Sequence, residues 1–338
     1  MTRLPLVSIV TPSYNQASFL ERTLRSVLSQ DYPHIEYIVV DGGSTDGSVA
    51  VIERYAHRLA WWVSEPDQGQ AEAINKGFAR AQGEIFAWVN SDDLLAPWTV
   101  AEAVAAFQRH PEAGLVFGHG VSIDAQGRPF HLLRTGPWGL AELMTFHMLN
   151  QPAVFLRRAA WEAVGGLDLG YHYLLDHHLW LRMAAQAPTA HVDRIWAFAR
   201  YHAAAKNAAQ ASGFAAEALR LAHWMSTEPA LASTYARLRR RVWAAAYRFA
   251  GRYLVDGGHY LAALGAYLRA LAYHPPTAAK EAHRMAFALA GLFGLGGALR
   301  RVYYRRAWGG IPPEVVALGV TNADAWVMGE TQPPSEPR

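Results

Sequence analysis

The sequence contains no cysteine. This excludes a disulfide framework, a thiolate metal site and a cysteine nucleophile, and it agrees with a reducing cytosol. Long hydrophobic runs are also missing. No window holds the ~18 or more apolar residues that a membrane span needs. The opening MTRLPLVSIV carries too short an apolar stretch to read as a signal peptide. Charge is sparse, at 17% of 338 residues against 51% apolar, and that balance excludes a disordered chain. Lysine is scarce beside arginine. The length suits two domains, each able to bury its own core without staples.

The net charge of +3 is unevenly distributed. Residues 207–338 hold 15 basic and 8 acidic side chains, while residues 1–206 hold 16 and 20. An acidic body therefore precedes a basic region suited to anionic surfaces. The body reads as alternating elements. LVSIVT (6–11), IEYIVV (35–40), 60–63 and 85–89 are apolar, strand-like runs. Between them, 17–30, 47–55 and 70–81 carry apolar residues at helical spacing. Such alternation predicts an α/β fold with a mainly parallel sheet covered by helices on both faces, its ligands beyond the carboxyl ends of the strands. From 114 to 202 the pattern mixes, with a hairpin over LVFGHG and 128–133, strands at 152–156 and 195–202, and helices at 157–164 and 176–185. After about 207 strand signals stop. Residues 240–276 read as two helices joined at Asp256-Gly257-Gly258, either an ordinary hairpin or one tetratricopeptide-type unit. The expected domains are 1–206 and 207–328, with a disordered tail over 329–338.

Each of four polar, turn-rich patches follows a predicted strand: TPSYNQ (11–16), VDGGSTDGS (40–48), SEPDQGQAEAINKG (64–77) and VNSDD (89–93). One such patch has a purely structural explanation, since Asp, Gly and Ser make turns. Four at one sheet edge form a rim. Together with QPAVFLRRAAWEAVGGLD and LLDHHLWLRMA, these segments resemble inverting, nucleotide-sugar-dependent family 2 glycosyltransferases of the GT-A fold over about residues 5–206. The C-terminal third lies outside the resemblance.

The resemblance implies a nucleoside diphosphate sugar donor, with a UDP-sugar favoured because Tyr14 and Asp41 match the uracil-binding pattern. Tyr14 would stack on the base, Thr11 and Pro12 would supply backbone contacts, and Asp41 would bond the base edge. As bland alternatives, Tyr14 is a packed loop aromatic and Asp41 a turn residue. Gln68, Gln70, Asn75 and Lys76 would line the diphosphate and sugar, near the amino end of a helix starting at Gly69 that Asp67 suits as a cap. Asn90-Ser91-Asp92 stands at the position of the family's Asp-x-Asp motif, with an amide as its first member. Asp92 would then ligate Mn2+ or Mg2+, hard cations that prefer oxygen. Asn90 and Ser91 would line the ribose side, and Asp93 would orient the donor sugar.

The implied general base is Asp176 in LLDHHLW, where Leu175 and His178 replace acids common in relatives. His202 would complete the metal site or touch phosphate, and Lys206 would balance phosphate charge. The implied acceptor is a glycan or lipid-linked glycan, with no nucleic acid partner, and the setting is bacterial surface polysaccharide synthesis in the cytoplasm. The missing Gly-rich basic loop after the first strand argues against a nucleotidyltransferase. A non-catalytic sugar-binding protein of the same fold is the alternative. MAFALAGLFGLGGAL (285–299), followed by Arg300, Arg301, Arg305 and Arg306, reads either as a buried helix or as a peripheral anchor on the inner face of the plasma membrane.

Overall fold

The apolar, β-branched run after Pro5 forms β1 (Val7–Ser13), buried along its whole length. Its two faces alternate. Val7 and Ile9 join a core with Leu20, Leu24 and Val27 of α1 (Ala17–Leu28), whose apolar residues recur at helical spacing. Val10 points the other way, into a helix that follows β3. β2 (Ile35–Asp41) pairs parallel with β1 and leads into α2 (Ser48–Tyr55). β3 (Trp61–Ser64) extends the parallel ladder and leads into α3 (Gln70–Arg80). At Gly77 the α3 backbone presses onto Val10, where any Cβ would sit 2.6 Å from Val10 Cγ1. β4 (Ile85–Trp88) pairs parallel with β1 on its other side.

The computed structural model describes residues 4–202, 210–296 and 311–328. Beyond β4 come β5 (Leu94–Leu95), α4 (Thr99–Arg109), β6 (Leu115–Asp124), β7 (Pro129–Leu133), α5 (Leu140–Met144), β8 (Val154–Arg157), α6 (Arg158–Val164), α7 (Leu175–Ala184) and β9 (Thr189–Tyr201). The strand order among the described residues is β3-β2-β1-β4-β8-β6-β9-β5, with β7 paired to β6. The first four strands are parallel, as their alternation with helices predicts. Beyond β4 the sheet is mixed. β8 runs antiparallel to β4 and β6, β6 runs parallel to β9, and the hairpin expected at 115–133 is the antiparallel β6–β7 pair.

Two compact units emerge: Met1–Pro137, Leu149–Tyr201 and Gly310–Arg338 in one, and Trp138–Met148 with His202–Gly309 in the other. The sequence-based boundary near 206 falls close to the end of β9. The grouping differs in that the stretch after Gly310 belongs with the first unit and residues 138–148 with the second.

The second unit is helical: α8 (Ala211–Thr227), α9 (Ala232–Asp256), α10 (Tyr260–Tyr273), α11 (Pro275–Ala279) and α12 (Ala282–Leu292). The expected helical pair turns at Gly257-Gly258, with Gly258 at φ +77°. Tyr267 of α10 lies against Gly251 of α9. The apolar run from Met285 does not continue as one helix, because α12 ends at Leu292 and Gly294 takes φ +78°. Phe287 and Ala288 are buried, while Leu289, Leu292, Phe293 and Leu295 are exposed. Arg300, Arg301, Arg305 and Arg306 lie outside the described residues, as does the 329–338 tail. No described helix is long and apolar enough to cross a membrane.

In the first unit, α13 (Pro313–Ala317), α14 (Ala323–Val327) and the connection between them carry Val315, Trp326 and Val320 into a core with Leu94, Val121 and Phe198.

Candidate functional site

Parallel pairing in register puts the ends of β1, β2 and β3 level, with Ser13 opposite Asp41 and Asp41 opposite Ser64. The loops that follow are zipped together. Asn15 N–H donates to Ser44 Oγ (2.7 Å), and Thr45 N–H donates to Asn15 Oδ1 (2.9 Å). Gln16 N–H donates to Ser48 Oγ (3.0 Å), and Ala17 N–H to Asp46 Oδ2 (2.9 Å). Burial pushes the Asp46 carboxyl up, but the bonds donated to it by the Ser48 hydroxyl (2.6 Å), Ser48 N–H (3.0 Å) and Ala17 N–H outweigh it and hold the group below the usual carboxylate range. Asn15 adopts φ +52°, a left-handed conformation that asparagine tolerates. Just before it, Tyr14 stands 62% exposed, an aromatic face open to a planar ligand.

Thr11 and Pro12 are buried in β1, and the Thr11 hydroxyl bonds the Tyr37 hydroxyl (2.9 Å). Asp41 is fully buried, and its carboxylate accepts from Gly43 N–H, Ser44 N–H, Ser44 Oγ and Ser64 Oγ. In this structure it holds the Gly42–Ser44 turn at the end of β2, the place from which the sequence expects it to meet a base edge.

After β4 comes the Asn90–Asp93 turn. Gln70 Nε2 donates to Asn90 Oδ1 (2.6 Å), and Asn90 Nδ2 donates to Asp93 Oδ2 (3.1 Å). The amide at Asn90 thus bridges an amide and a carboxylate, accepting from one and donating to the other. Ser91 is buried. Asp93 is 5% exposed, and its Oδ1 accepts from Arg200 N–H (2.9 Å). Burial, then the adjacent Asp92 charge, pushes the Asp93 carboxyl well above the usual range, against the hydrogen bonds from Arg200 and Asn90. Asp92 itself is half-buried.

Asp176 lies in the first turn of α7, half-buried, with Oδ1 accepting from His177 N–H (2.7 Å). One turn on, Trp180 stacks on Trp88 of β4 (centroids 5.1 Å apart, planes at 24°). Residues i and i+4 share a helix face, so Asp176 projects from the face of α7 that packs on β4, two residues before Asn90. Phe78, Phe86 and Trp161 continue this aromatic layer through α3, β4 and α6. The α6–α7 connection is pinned from two sides. Asn75 bonds both Leu167 N–H (3.0 Å) and Leu167 C=O (2.9 Å), and Arg182 donates to Val164 and Gly166 carbonyls. Asn75 thus brackets the approach to α7.

Lys76 pairs with Glu65 (2.9 Å), and its pKa is raised by that bond. Gln68 is exposed, and its N–H donates to Glu72 Oε2 (2.6 Å). Gly69, at φ +118°, is the cap of α3, while Asp67 accepts from Gly69 N–H (2.8 Å). His202 is half-buried just after β9 and groups with the helical unit. Lys206 lies outside the described residues. Sequence reasoning gave no role to Asn15, Asp46, Arg200 or Asp324. The first two had a local signal in their turn-forming types. Asp324 had none, being more than two hundred residues from the loop it serves.

Among the described residues, no three His, Cys, Asp or Glu side chains gather as a metal cage. A divalent cation held mainly by substrate phosphates needs only one or two protein carboxylates. Asp92 fits that demand as a hard oxygen donor at the rim, next to a neighbour already committed to Arg200 and Asn90.

The family model described as "Glycosyl transferase family 2" matches residues 8–159. An uncharacterised glycosyltransferase of Mycobacterium tuberculosis is 34% identical over 191 residues, covering 54% of this chain and 71% of that protein. The O-antigen biosynthesis protein RfbC of Myxococcus xanthus is 32% identical over 218 residues, which cover 63% of this chain but only 17% of that longer protein. Among solved structures, the mannosyltransferase PcManGT of Pyrobaculum calidifontis, in complex with GDP-Man and Mn2+, superposes with a TM-score of 0.60 at 21% identity. The match covers 90% of this chain and 89% of that one. At that identity the likeness establishes the fold.

Proposed function

Because this chain belongs to glycosyl transferase family 2, we propose that it transfers a sugar with inversion from a UDP-sugar to an acceptor hydroxyl, in building a bacterial surface polysaccharide or lipid-linked glycan. The observation that carries this reading is the single rim after β1–β4, backed by α7 stacked through Trp180 on Trp88. Polysaccharide synthesis draws support from the likeness to RfbC.

The base stacks on Tyr14, whose exposed face the zipped loops hold in place. Its edge meets the turn that Asp41 organises, with Thr11 and Pro12 as the backbone beneath. Lys76 turns from Glu65 to the diphosphate. The pair is partly exposed, and such pairs contribute only about 0–1 kcal/mol, so a phosphate displaces the carboxylate readily. Gln68 and Gln70 line the phosphate and sugar side. Asn90 and Ser91 face the ribose, and Asp93 fixes the turn. Asp92 would hold Mn2+ or Mg2+, which when bound neutralises charge on the departing diphosphate. Asp176 takes the acceptor's hydroxyl proton as that oxygen bonds the anomeric carbon. The bond from that carbon to the diphosphate oxygen breaks, and UDP leaves with the electron pair. The basic C-terminal region meets an anionic lipid surface on the cytoplasmic side through its exposed apolar residues and following arginines.

The test is a donor screen over UDP-, dTDP-, GDP- and CMP-sugars with Mn2+, read by nucleotide release and calorimetry. UDP is the expected nucleotide. Asp176→Asn is expected to lower kcat by ~10²–10⁴ with donor affinity unchanged. Asp92→Ala is expected to abolish metal-dependent donor binding, and Asn90→Asp to be tolerated. Turnover that survives EDTA, or an Asp176→Asn enzyme within a few-fold of wild type, refutes the reading.

A further inference from the structure

The segment after Gly310 returns to the first unit and reaches the Asn90–Asp93 turn through one buried ion pair. Arg200, on β9, has a fully buried side chain. Its Nε donates to the Asp92 carbonyl (2.8 Å), its Nη1 to the Asp124 carbonyl (3.1 Å), and its backbone N–H to Asp93 Oδ1 (2.9 Å). The outer edge of the guanidinium is held by Asp324 of α14, through Nη2 to Oδ1 (2.5 Å) and Nη1 to Oδ2 (3.2 Å). This fork-to-fork geometry fixes orientation as well as charge.

Asp324 is itself fixed. The Asn322 side chain caps α14 at Ala325 N–H (3.0 Å) and donates to the Gln126 carbonyl (2.8 Å). Ala323 N–H donates to the Gly127 carbonyl (2.8 Å), and Trp326 packs on Trp98 and Phe198. Gly127, at φ +78°, lies so close that a Cβ there would meet Asp324 at 2.7 Å.

A buried guanidinium bonded to the backbone of the turn that carries Asp92 and Asp93 poses an electrostatic problem for cation binding there. Without a carboxylate of its own, it turns toward Asp92 and Asp93 and competes with any metal for them. Asp324 supplies a carboxylate from the far side, and its Oδ2 also meets Arg22 Nε at 3.4 Å. Arg200 can then brace the turn through the Asp92 carbonyl without being drawn to the Asp92 carboxylate.

We propose that Asp324 is a positioning residue of the donor site, holding the Arg200 cation away from the Asp92 carboxylate so that this group can bind a divalent cation with the nucleotide. This rests on the reading of Asp92 given above.

The experiment measures UDP binding by calorimetry across a Mn2+ titration, with melting temperatures, for the full-length wild type, Asp324→Asn, Asp324→Glu and Leu318→Ala. Leu318 packs in the same C-terminal core and supplies none of the bonds that join Arg200 to Asp324. The expected result is a tenfold or greater rise in the Mn2+ concentration at half-saturation for Asp324→Asn. Asp324→Glu should recover to within about threefold, and Leu318→Ala should melt earlier with half-saturation unmoved. An Asp324→Asn protein that melts earlier but binds Mn2+ and UDP as wild type does overturns the proposal, leaving a merely structural ion pair. An equal rise in Leu318→Ala overturns it too, since loosening the segment would then suffice. If Asp324→Asn does not fold, the Glu variant decides: half-saturation within about threefold of wild type supports the proposal, and a larger loss overturns it. Wild type that binds UDP with no dependence on Mn2+ refutes the reading of Asp92 first, before any variant is compared.

Discussion

Replacing Trp180 with alanine tests how α7, which carries the proposed base Asp176, is held. Trp180 is 1% exposed and stacks on Trp88, itself fully buried. A tryptophan buries ~150–250 Å². At ~25 cal/mol per Å² that is about 4–6 kcal/mol, and buried Trp truncations cost ~3–5 kcal/mol. A loss of about 4 kcal/mol leaves a typical domain folded, since stabilities run ~5–15 kcal/mol. For a unit of this size it lowers the melting temperature by ~8–16 °C. The catalytic effect follows from geometry. Asp176 lies one turn from Trp180, about 6 Å along α7 at ~1.5 Å per residue. Once the stack is gone the helix settles differently, and a misplacement of about 1 Å costs ~10²-fold in rate. Trp180→Ala is therefore expected to lower kcat by about 10² with the donor KM within threefold, because Tyr14 and its loops lie on other strands. Neither buried indole N–H, on Trp88 or Trp180, has a protein partner among the described residues. Trp180→Phe therefore keeps a ring on Trp88 and removes an unsatisfied donor, and it is expected to hold kcat within about fivefold. The assay is steady-state UDP release beside thermal melts. A variant that melts as predicted yet turns over at the wild-type rate refutes the link between the stack and Asp176. An unchanged melt refutes the burial argument itself.

Two further expectations concern charge. The Asp46 carboxyl is held below its usual range, so its stabilisation is complete above the unfolded-state value near ~3.9 and is lost as pH falls through the folded one. Asp46→Asn keeps the acceptor and removes the titration, so urea midpoints between pH 5 and 3 should fall less steeply than in wild type, and parallel profiles would sink the argument. In liposome co-sedimentation, the protein is expected to bind anionic but not neutral vesicles, less so in high salt or when Arg300, Arg301, Arg305 and Arg306 become glutamine, and absence of binding to both would end the lipid reading.

Most of the sheet that carries the rim was legible because its strands are local and strongly patterned. The first four alternate with helices that carry apolar residues at helical spacing, and the observed ends differ by a residue or two. The uniformly parallel order stops at β4, because nothing in the mixed pattern from 114 to 202 says that β8 enters the sheet reversed. Tyr14 and the Asn90–Asp93 turn were readable from motif spacing, and they stand at the rim. Asp41 and Asn75 were readable as polar residues at the right edge, but their side-chain direction was not. Four hydrogen bonds turn Asp41 inward, and two tie Asn75 to Leu167. The Arg200–Asp324 pair was beyond reach, since no periodicity links residues so far apart.

The return of residues 311–328 makes the sugar-transfer body a discontinuous one, interrupted by the whole run from His202 to Gly309. On a ribosome, β9 emerges roughly 110 residues before the piece that completes its core, a wait of about 5–20 s at ~5–20 residues per second. During that interval Leu94, Val121 and Phe198 have no cover from Val315 or Trp326, and Arg200 has no counter-ion from α14. Such long-range closure slows folding and leaves apolar surface open to chaperones or to aggregation. The nascent body thus matures last around the Asn90–Asp93 turn.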